Sequence, residues 1–522
     1  MATLATTPTD LARALAAGGA EVLTDEVSLD FYAHDIYDRG ADLAAVVRPK
    51  DKEQLAAAVK AATDAGHPVA PRGGGMSYTA GYTQDQPGAV LFDLAQMNRV
   101  LEVDDVSMTV TVEAGCTWAA LRERLAHHGL RTPMWGTLSG LKASIGGGMS
   151  QNGIFWGTGR YGSAVQSCTS LEVVLADGTL LCTGKKHMRP YGPDLTGLFL
   201  GDTGALGIKA TVTLKLIPEA SFHAYASFAF DDAESWFATS SAIERRGIAT
   251  ECFGFDPYLN AIRMKRDSLT SDAKQLMGMM KKQANSGGGV IKALKEGAKV
   301  VAAGRDFLKD ANFSLHVLTE GRIQAAADAD VEIARQLVAH YGGREVENTI
   351  PKIIRANPFG PLNSILGPDG ERWAPIHGLV SHGRSAECFA AFERLFAEHA
   401  DEMDELGVHY GTLVATVGGA GMVIEPCLYW PDARNPLIED TIEKGHLKKL
   451  PKLKANEDAW ALTKKLKQAI VDIFFDHDAA HFQIGRTYRY RDGLEPRADA
   501  LLKAAKAELD PRGLMNPGSL GL

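Results

Sequence analysis

Hydrophobic and polar positions change period several times along the chain, and each change predicts an element. Residues 9–17 carry apolar side chains at helical spacing. AAVVRP follows, a short β-branched run closed by proline. Asp51 caps KEQLAAAVKAATDAG, a 3.6-period helix that ends at Gly66 and hands over to HPVAP. From Ala89 the pattern shortens to VLFDL, RVLEV and MTVTVEAG, which alternate as strands do, and then WAALRERLAHHG returns to helical spacing. LEVVLADGTLLCTG reads as two strands around Asp177-Gly178, and GIKATVTLKLIP as a long strand. Strand–helix–strand units mixed with alternating β-runs make an α+β chain.

Composition shifts after Glu219, where strands such as FSLHVLTEG mix with longer helices such as AAADADVEIARQLVAHYG and FAAFERLFAEHADEMDELG. A helix from Glu457 leads into FFDHDAAHFQIGRTYRYRDG, whose alternation reads as a strand. These shifts divide the chain into residues 1–219, 220–475 and 476–522. A length of 522 residues is too great for one compact core.

Three glycine clusters punctuate the first part: PRGGGMSYTAGY, SIGGGMSQNG and GDTGALG. Gly73, Gly74 and Gly75 let the backbone approach a ligand closely, so the first cluster is a phosphate cradle or, equally, a tight turn without a ligand. Three such clusters, each entering β-structure, point to several segments converging on one extended ligand.

Charge changes the picture mainly by exclusion. A formal net charge of −9, with no basic stripe interleaved with aromatics, argues against a nucleic-acid partner. Six scattered cysteines without a CxxC pair fit reduced thiols packed as small hydrophobes. No signal peptide and no run of about 18 apolar residues is present, so a cytoplasmic protein with no transmembrane segment is expected. Residues 268–310 are helical in period and lysine-rich around NSGGG. They read as a solvated excursion or subunit contact, with a peripheral membrane face as the sharper alternative.

Among candidate chemistry, no cluster fits the dinucleotide fingerprint and no phosphate-loop GxxxxGK[ST] occurs. His477 and His481 in HDAAH would share a face on a helix, but no third ligand is evident and no metal is expected. A structural histidine and an active-site base remain open for this pair. His377 and His382 in PIHGLVSHG invite the same alternatives. In RTYRYR, a strand would turn Arg486 and Tyr488 to one side, suited to a carboxylate or phenolate; the alternative is a charged edge strand.

The order of these motifs resembles the vanillyl-alcohol oxidase and p-cresol methylhydroxylase family of FAD-dependent oxidoreductases. AAVVRPKDKEQLAAAVKAA, PRGGGMSY, SIGGGMSQNG with RYG, LEVVLADGTLLCTG, PDLTGLF with GDTGALG, and the closing LDPRGLMNPGSLGL carry the resemblance. It implies two α+β subdomains clasping FAD, an α+β cap over the flavin ring and a C-terminal segment that returns to it. The implied cofactor contacts are Arg72, Gly73, Gly74, Gly75, Met76, Ser77, Tyr78, Ser144, Gly147, Gly148, Asn152, Gly153, Gly207, Ile208 and Asn516. Arg486, Tyr488 and His481 are the implied catalytic residues, with His377 and Tyr429 as substrate contacts. Met76 stands where several members carry a flavin-linked histidine, so non-covalent FAD is expected. The cap sequences WAPIHGLVSHGRSAEC and MVIEPCLYWPDARNP resemble the phenol-oxidising branch, whereas GDTGALGIKATVTLKLIP resembles the D-2-hydroxy-acid branch, whose metal motif is missing. The expected substrate is a small alcohol or para-substituted phenol, oxidised by hydride transfer to flavin N5. A D-2-hydroxy-acid dehydrogenase and a non-enzymatic flavin-binding assembly subunit are the alternatives. A homo-oligomer is expected; oxygen, a cytochrome or a quinone remain open as electron acceptor.

Overall fold

The computed structural model describes residues 8–265, 312–419 and 421–522. The lysine-rich stretch 268–310, with the membrane-face alternative attached to it, lies outside these residues.

The first sheet has four strands in the order Glu21–Leu23, Leu43–Arg48, Ala89–Asp93, Val69–Arg72. Helix Lys52–Asp64 crosses over between the parallel strands Leu43–Arg48 and Val69–Arg72, and Ala89–Asp93 is inserted between them. Asp51 caps this helix as its position suggests, accepting from the Gln54 N–H at 2.8 Å. Leu55, Ala58, Val59 and Ala62 form its buried stripe. The second sheet is antiparallel, in the order Val100–Asp104, Thr109–Glu113, Ile208–Lys215, Cys168–Val174, Leu180–Gly184.

The third sheet is the largest and wholly antiparallel. Its path runs Arg344–Val346, Phe222–Phe230, Phe313–Gly321, Glu251–Phe255, His409–Val417, Gly421–Trp430, Arg372–Pro375, with Gly378–Val380 also pairing Gly421–Trp430. One face is covered by helices Ala233–Glu244, Gln324–His340, Ser385–Glu398 and Glu457–Asp476 over a core that includes Trp236, Phe389, Phe392 and Phe474. The opposite face roofs a cavity.

Three local expectations fail for physical reasons. SIGGGMSQ is a helix, Ile145–Gln151, because Ser144 caps it by accepting from the Gly147 N–H and because the backbone must pass close to its neighbours. A Cβ on Gly146 would meet Ala114 at 2.6 Å. The run 385–406 breaks at His399 into two helices. RTYRYR is a succession of turns and not a strand, since Arg486 and Tyr488 bond to separate parts of the molecule and Gly485 has φ 55°.

Candidate active site

A cavity of about 970 Å³ lies between the glycine loops and the third sheet. Pro71, Gly73–Tyr78, Ser144, Gly147, Gly148, Gln151 and Gly153 form its floor. The roof follows from strand periodicity: on Gly421–Trp430 every second residue, Val423, Glu425, Cys427 and Tyr429, faces the cavity. In register beside them stand Ala415 and Phe253 in one row, Leu413 and Phe255 in the next, and Trp373 opposite Tyr429. Residues 357–368 and 443–450 supply the rim.

The floor suits a polyanion. The N–H groups of Gly74, Gly75, Met76, Ser77 and Tyr78 find no acceptor among the described residues, and Gly75, at φ 72°, folds them into a concave run. Glycine is required here by the protein itself, because a Cβ on Gly74 would overlap the Lys142 carbonyl. Three buried polar atoms on the cavity wall, Trp118 Nε1, Gln151 Oε1 and Thr203 Oγ1, are also without partners among the described residues. A ligand offering both acceptors and donors would satisfy them. Lys209, which also lines the cavity, is ion-paired to buried Asp202 at 2.5 Å.

Residues 43–184 match the FAD binding domain family. The chain carries an FAD binding domain. Over 238 residues it is 31% identical to an uncharacterized FAD-linked oxidoreductase of Mycobacterium tuberculosis, a match covering 45% of this chain and 51% of that protein. Over 227 residues it is 29% identical to a mitochondrial D-lactate dehydrogenase [cytochrome] of Saccharomyces cerevisiae, covering 43% and 37%. The chain thus spans about half, or less, of the length of these curated relatives. The structure of p-cresol methylhydroxylase with substrate bound superposes with a TM-score of 0.70 at 17% identity, covering 98% of this chain and 96% of that one. The expected α+β, p-cresol-methylhydroxylase-type FAD-binding architecture is therefore present. The free amides, the unpartnered Trp118, Gln151 and Thr203 and the glycine-walled floor fit that cofactor.

Several residues expected at the site are engaged elsewhere. Arg72 is buried under the rings of Tyr32 and Tyr82 and pairs with Asp93 at 3.5 Å, so it braces the loop from behind. Gly207 and Ile208 begin a buried strand beyond the cavity wall; Thr203 and Lys209 reach it instead. Asn152 caps the Ile145–Gln151 helix at φ 52° and is not on the wall, though its Oδ1 is buried without a protein partner. Asn516 is fully buried and spent on protein contacts. Its Nδ2 donates to the carbonyls of Gly81 and Thr203, and its Oδ1 accepts from Gln84 and Arg486.

Arg486 is likewise committed. Its guanidinium donates to the carbonyls of Ala80 at 2.7 Å and Pro517 at 2.5 Å and to Asn516 at 3.1 Å, and it does not line the cavity. Tyr488 and His481 stack at 4.0 Å behind the wall. Tyr488 Oη accepts from the His377 N–H at 2.8 Å, and His377 stacks on Phe482 at 4.0 Å, which does line the cavity. Burial lowers His377 to about 3 and His481 to about 4, so both are neutral at pH 7. His477 follows the last turn of helix Glu457–Asp476 and Asp478 has φ 55°, so His477 and His481 share no helical face. Among the described residues no group of three metal-ligating side chains occurs.

The most chemically distinctive residue on the roof is one the sequence reading passed over. Among the described residues Glu425 has no cation partner, and burial raises it to about 7. It is half-buried and lines the cavity. Tyr78, hydrogen-bonded to Gln483, is held well above its usual range by burial and by Glu425. A single acidic residue in the apolar run MVIEPCLYW carries no period or motif, so the sequence offered no signal for it.

Proposed function

We propose that the chain is an FAD-dependent oxidoreductase that dehydrogenates a small, mainly apolar alcohol or para-substituted phenol. Glu425 carries the proposal: a lone carboxyl raised to about 7, on a roof otherwise built of Phe253, Phe255, Leu413, Val423, Cys427, Tyr429 and Trp373. Removing hydride from a C–H bond is easiest when the adjoining hydroxyl loses its proton, and a group titrating near neutrality is poised to take it. The bound cofactor would accept hydride at N5.

Glu425 receives the hydroxyl proton in this scheme. Tyr78, fixed by Gln483, and Tyr429 orient the substrate oxygen through their own O–H groups. The aromatic roof excludes water and strengthens these contacts. Phe482, backed by His377 and Tyr488, sets the depth of the pocket. Trp118, Gln151, Thr203 and the Gly74–Tyr78 amides would hold the cofactor. Met76 in the loop supports non-covalent attachment, because a thioether lacks the nucleophilic nitrogen that links flavin to histidine. Acid precipitation of the purified protein is expected to leave the yellow colour in the supernatant; a yellow pellet would overturn this.

A second reading has its own support. Arg263 lies on the cavity wall with its guanidinium 4.3 Å from the Phe255 ring centre, adding positive charge to that wall, which favours an anionic substrate such as a 2-hydroxy acid. Anaerobic flavin bleaching by 4-alkylphenols or aromatic alcohols, with none by D-lactate or D-2-hydroxyglutarate, is the expected result. The reverse pattern would replace the first reading by the second.

A further inference from the structure

We propose that the cavity rim is a docking face for an acidic one-electron carrier protein, which takes electrons from the reduced cofactor. The proposal rests on the reading of the chain as a flavin-dependent oxidoreductase and goes beyond it in naming the partner. Residues 444–455, KGHLKKLPKLKA, hold five lysines and no acidic residue in a chain whose net charge is −9. His446 and Lys449 line the cavity, so this basic stretch is part of its mouth. Lys444 donates to the Glu439 carbonyl. Lys448, Lys449, Lys452 and Lys454 are exposed and have no acidic partner among the described residues. Across the mouth Lys142 pairs with Asp440, and beside it Leu138 and Leu141 stay 43% and 46% exposed. Leu138, with Leu141 close to it in sequence, thus gives the cavity an apolar spot, and Lys449 of the basic stretch lines the same cavity.

Size and composition select the partner. Lys448 to Lys454 spans up to about 20 Å, too far for one small anion to engage all of its lysines. The apolar spot is two leucines, far less than a membrane-seated face requires. An acidic protein surface matches both the span and the sign, and electrostatic steering would raise its encounter rate. Two carrier molecules each gain one electron per turnover, the reduced cofactor loses two, and the proton at its N5 and the one left on Glu425 pass to solvent.

The test uses the anaerobic holoenzyme reduced by dithionite, so no substrate is needed. Its reoxidation is followed with oxidised plastocyanin as the acidic carrier, horse cytochrome c as the basic one, and neutral benzoquinone as a control. Plastocyanin is expected to react at least tenfold faster at 20 mM than at 300 mM salt, and cytochrome c not to show this fall. The K448E/K452E/K454E variant, which leaves the cavity wall untouched, is expected to slow plastocyanin at least tenfold and benzoquinone less than twofold. Equal response to both proteins, no salt dependence, or an unaffected variant would overturn the docking face. So would variant-sensitive binding to phosphatidylglycerol vesicles without an effect on plastocyanin, which would assign the rim to a lipid surface. Protein that purifies without flavin would sink the functional reading itself, a distinct failure.

Discussion

Glu425 and Arg486 show how differently two charged residues are used. The two terminal nitrogens of Arg486 are spent on the Ala80 and Pro517 carbonyls and Asn516, with Asp85 3.4 Å from its Nε, whereas Glu425 has a hydrophobic roof and an open cavity. Glu425→Gln is expected to lower turnover by about 10²–10⁴-fold, the range for a positioned base, and to remove the rise in kcat/KM through about pH 7. The same raised value has a stability signature in the apoprotein. An unfolded glutamate ionises near pH 4.5 and the folded one near 7, so folding is progressively penalised as pH rises between them and the penalty is full above. Apo Glu425→Gln is therefore expected to melt above the parent at pH 8 and level with it at pH 4; equal melting at both would contradict the carboxyl's burial. The family resemblance implied a catalytic Arg486, and the alternation with tyrosine suggested a side chain turned toward a carboxylate or phenolate. The sequence hid Glu425 because one acidic residue in an apolar strand carries no spacing.

At the scale of elements, the floor depends on backbone packing tighter than any side chain permits. Gly74→Ala is expected to cost about 1–3 kcal/mol in urea unfolding, since the new methyl must displace the Lys142 carbonyl, and to weaken FAD retention. Gly66→Ala, with nothing within 4 Å but φ 84°, serves as the control for left-handed strain alone and should leave FAD retention intact. The first sheet, its helix and the paired strands around Asp177-Gly178 were legible from period and turn chemistry. The Ile145–Gln151 helix was not, because three central glycines oppose helix by propensity, and the Ser144 cap and the close packing on Ala114 and Trp118 hold them there. RTYRYR misled in the opposite way: its alternation is real, but no neighbouring strand offers a ladder.

For the molecule as a whole, the glycine-rich half and the large sheet are joined by buried charge. Arg131, 1% exposed, ion-pairs with Glu320, and Arg355 reaches both Glu320 and Glu219. Glu251, pushed up by burial, accepts from the Gly157 N–H at 3.0 Å. Burial opposes the Glu320 charge, but the His223 hydrogen bond and the two arginines outweigh it and hold this carboxyl below its usual range. Its stabilisation is present above the ordinary glutamate range and is lost on further acidification. Arg131→Met would leave Glu320 short of a buried partner, and a loss of about 3–5 kcal/mol is expected in denaturant titration at pH 7, shrinking below pH 4. The sequence held the two halves in view through their composition, but not the charges that weld them, because these partners come from segments far apart in the chain.

The Asn516 clamp also sets a schedule. It ties Gln84, Gly81 and Thr203 together from a position 432 residues beyond Gln84. At about 5–20 residues per second on a ribosome, the glycine loop emerges roughly 20–90 s before the residue that secures it. During that interval the loop has its glycines and amides but not its lock, so Gln84, Gly81 and Thr203 are tied together only once Asn516 has been made.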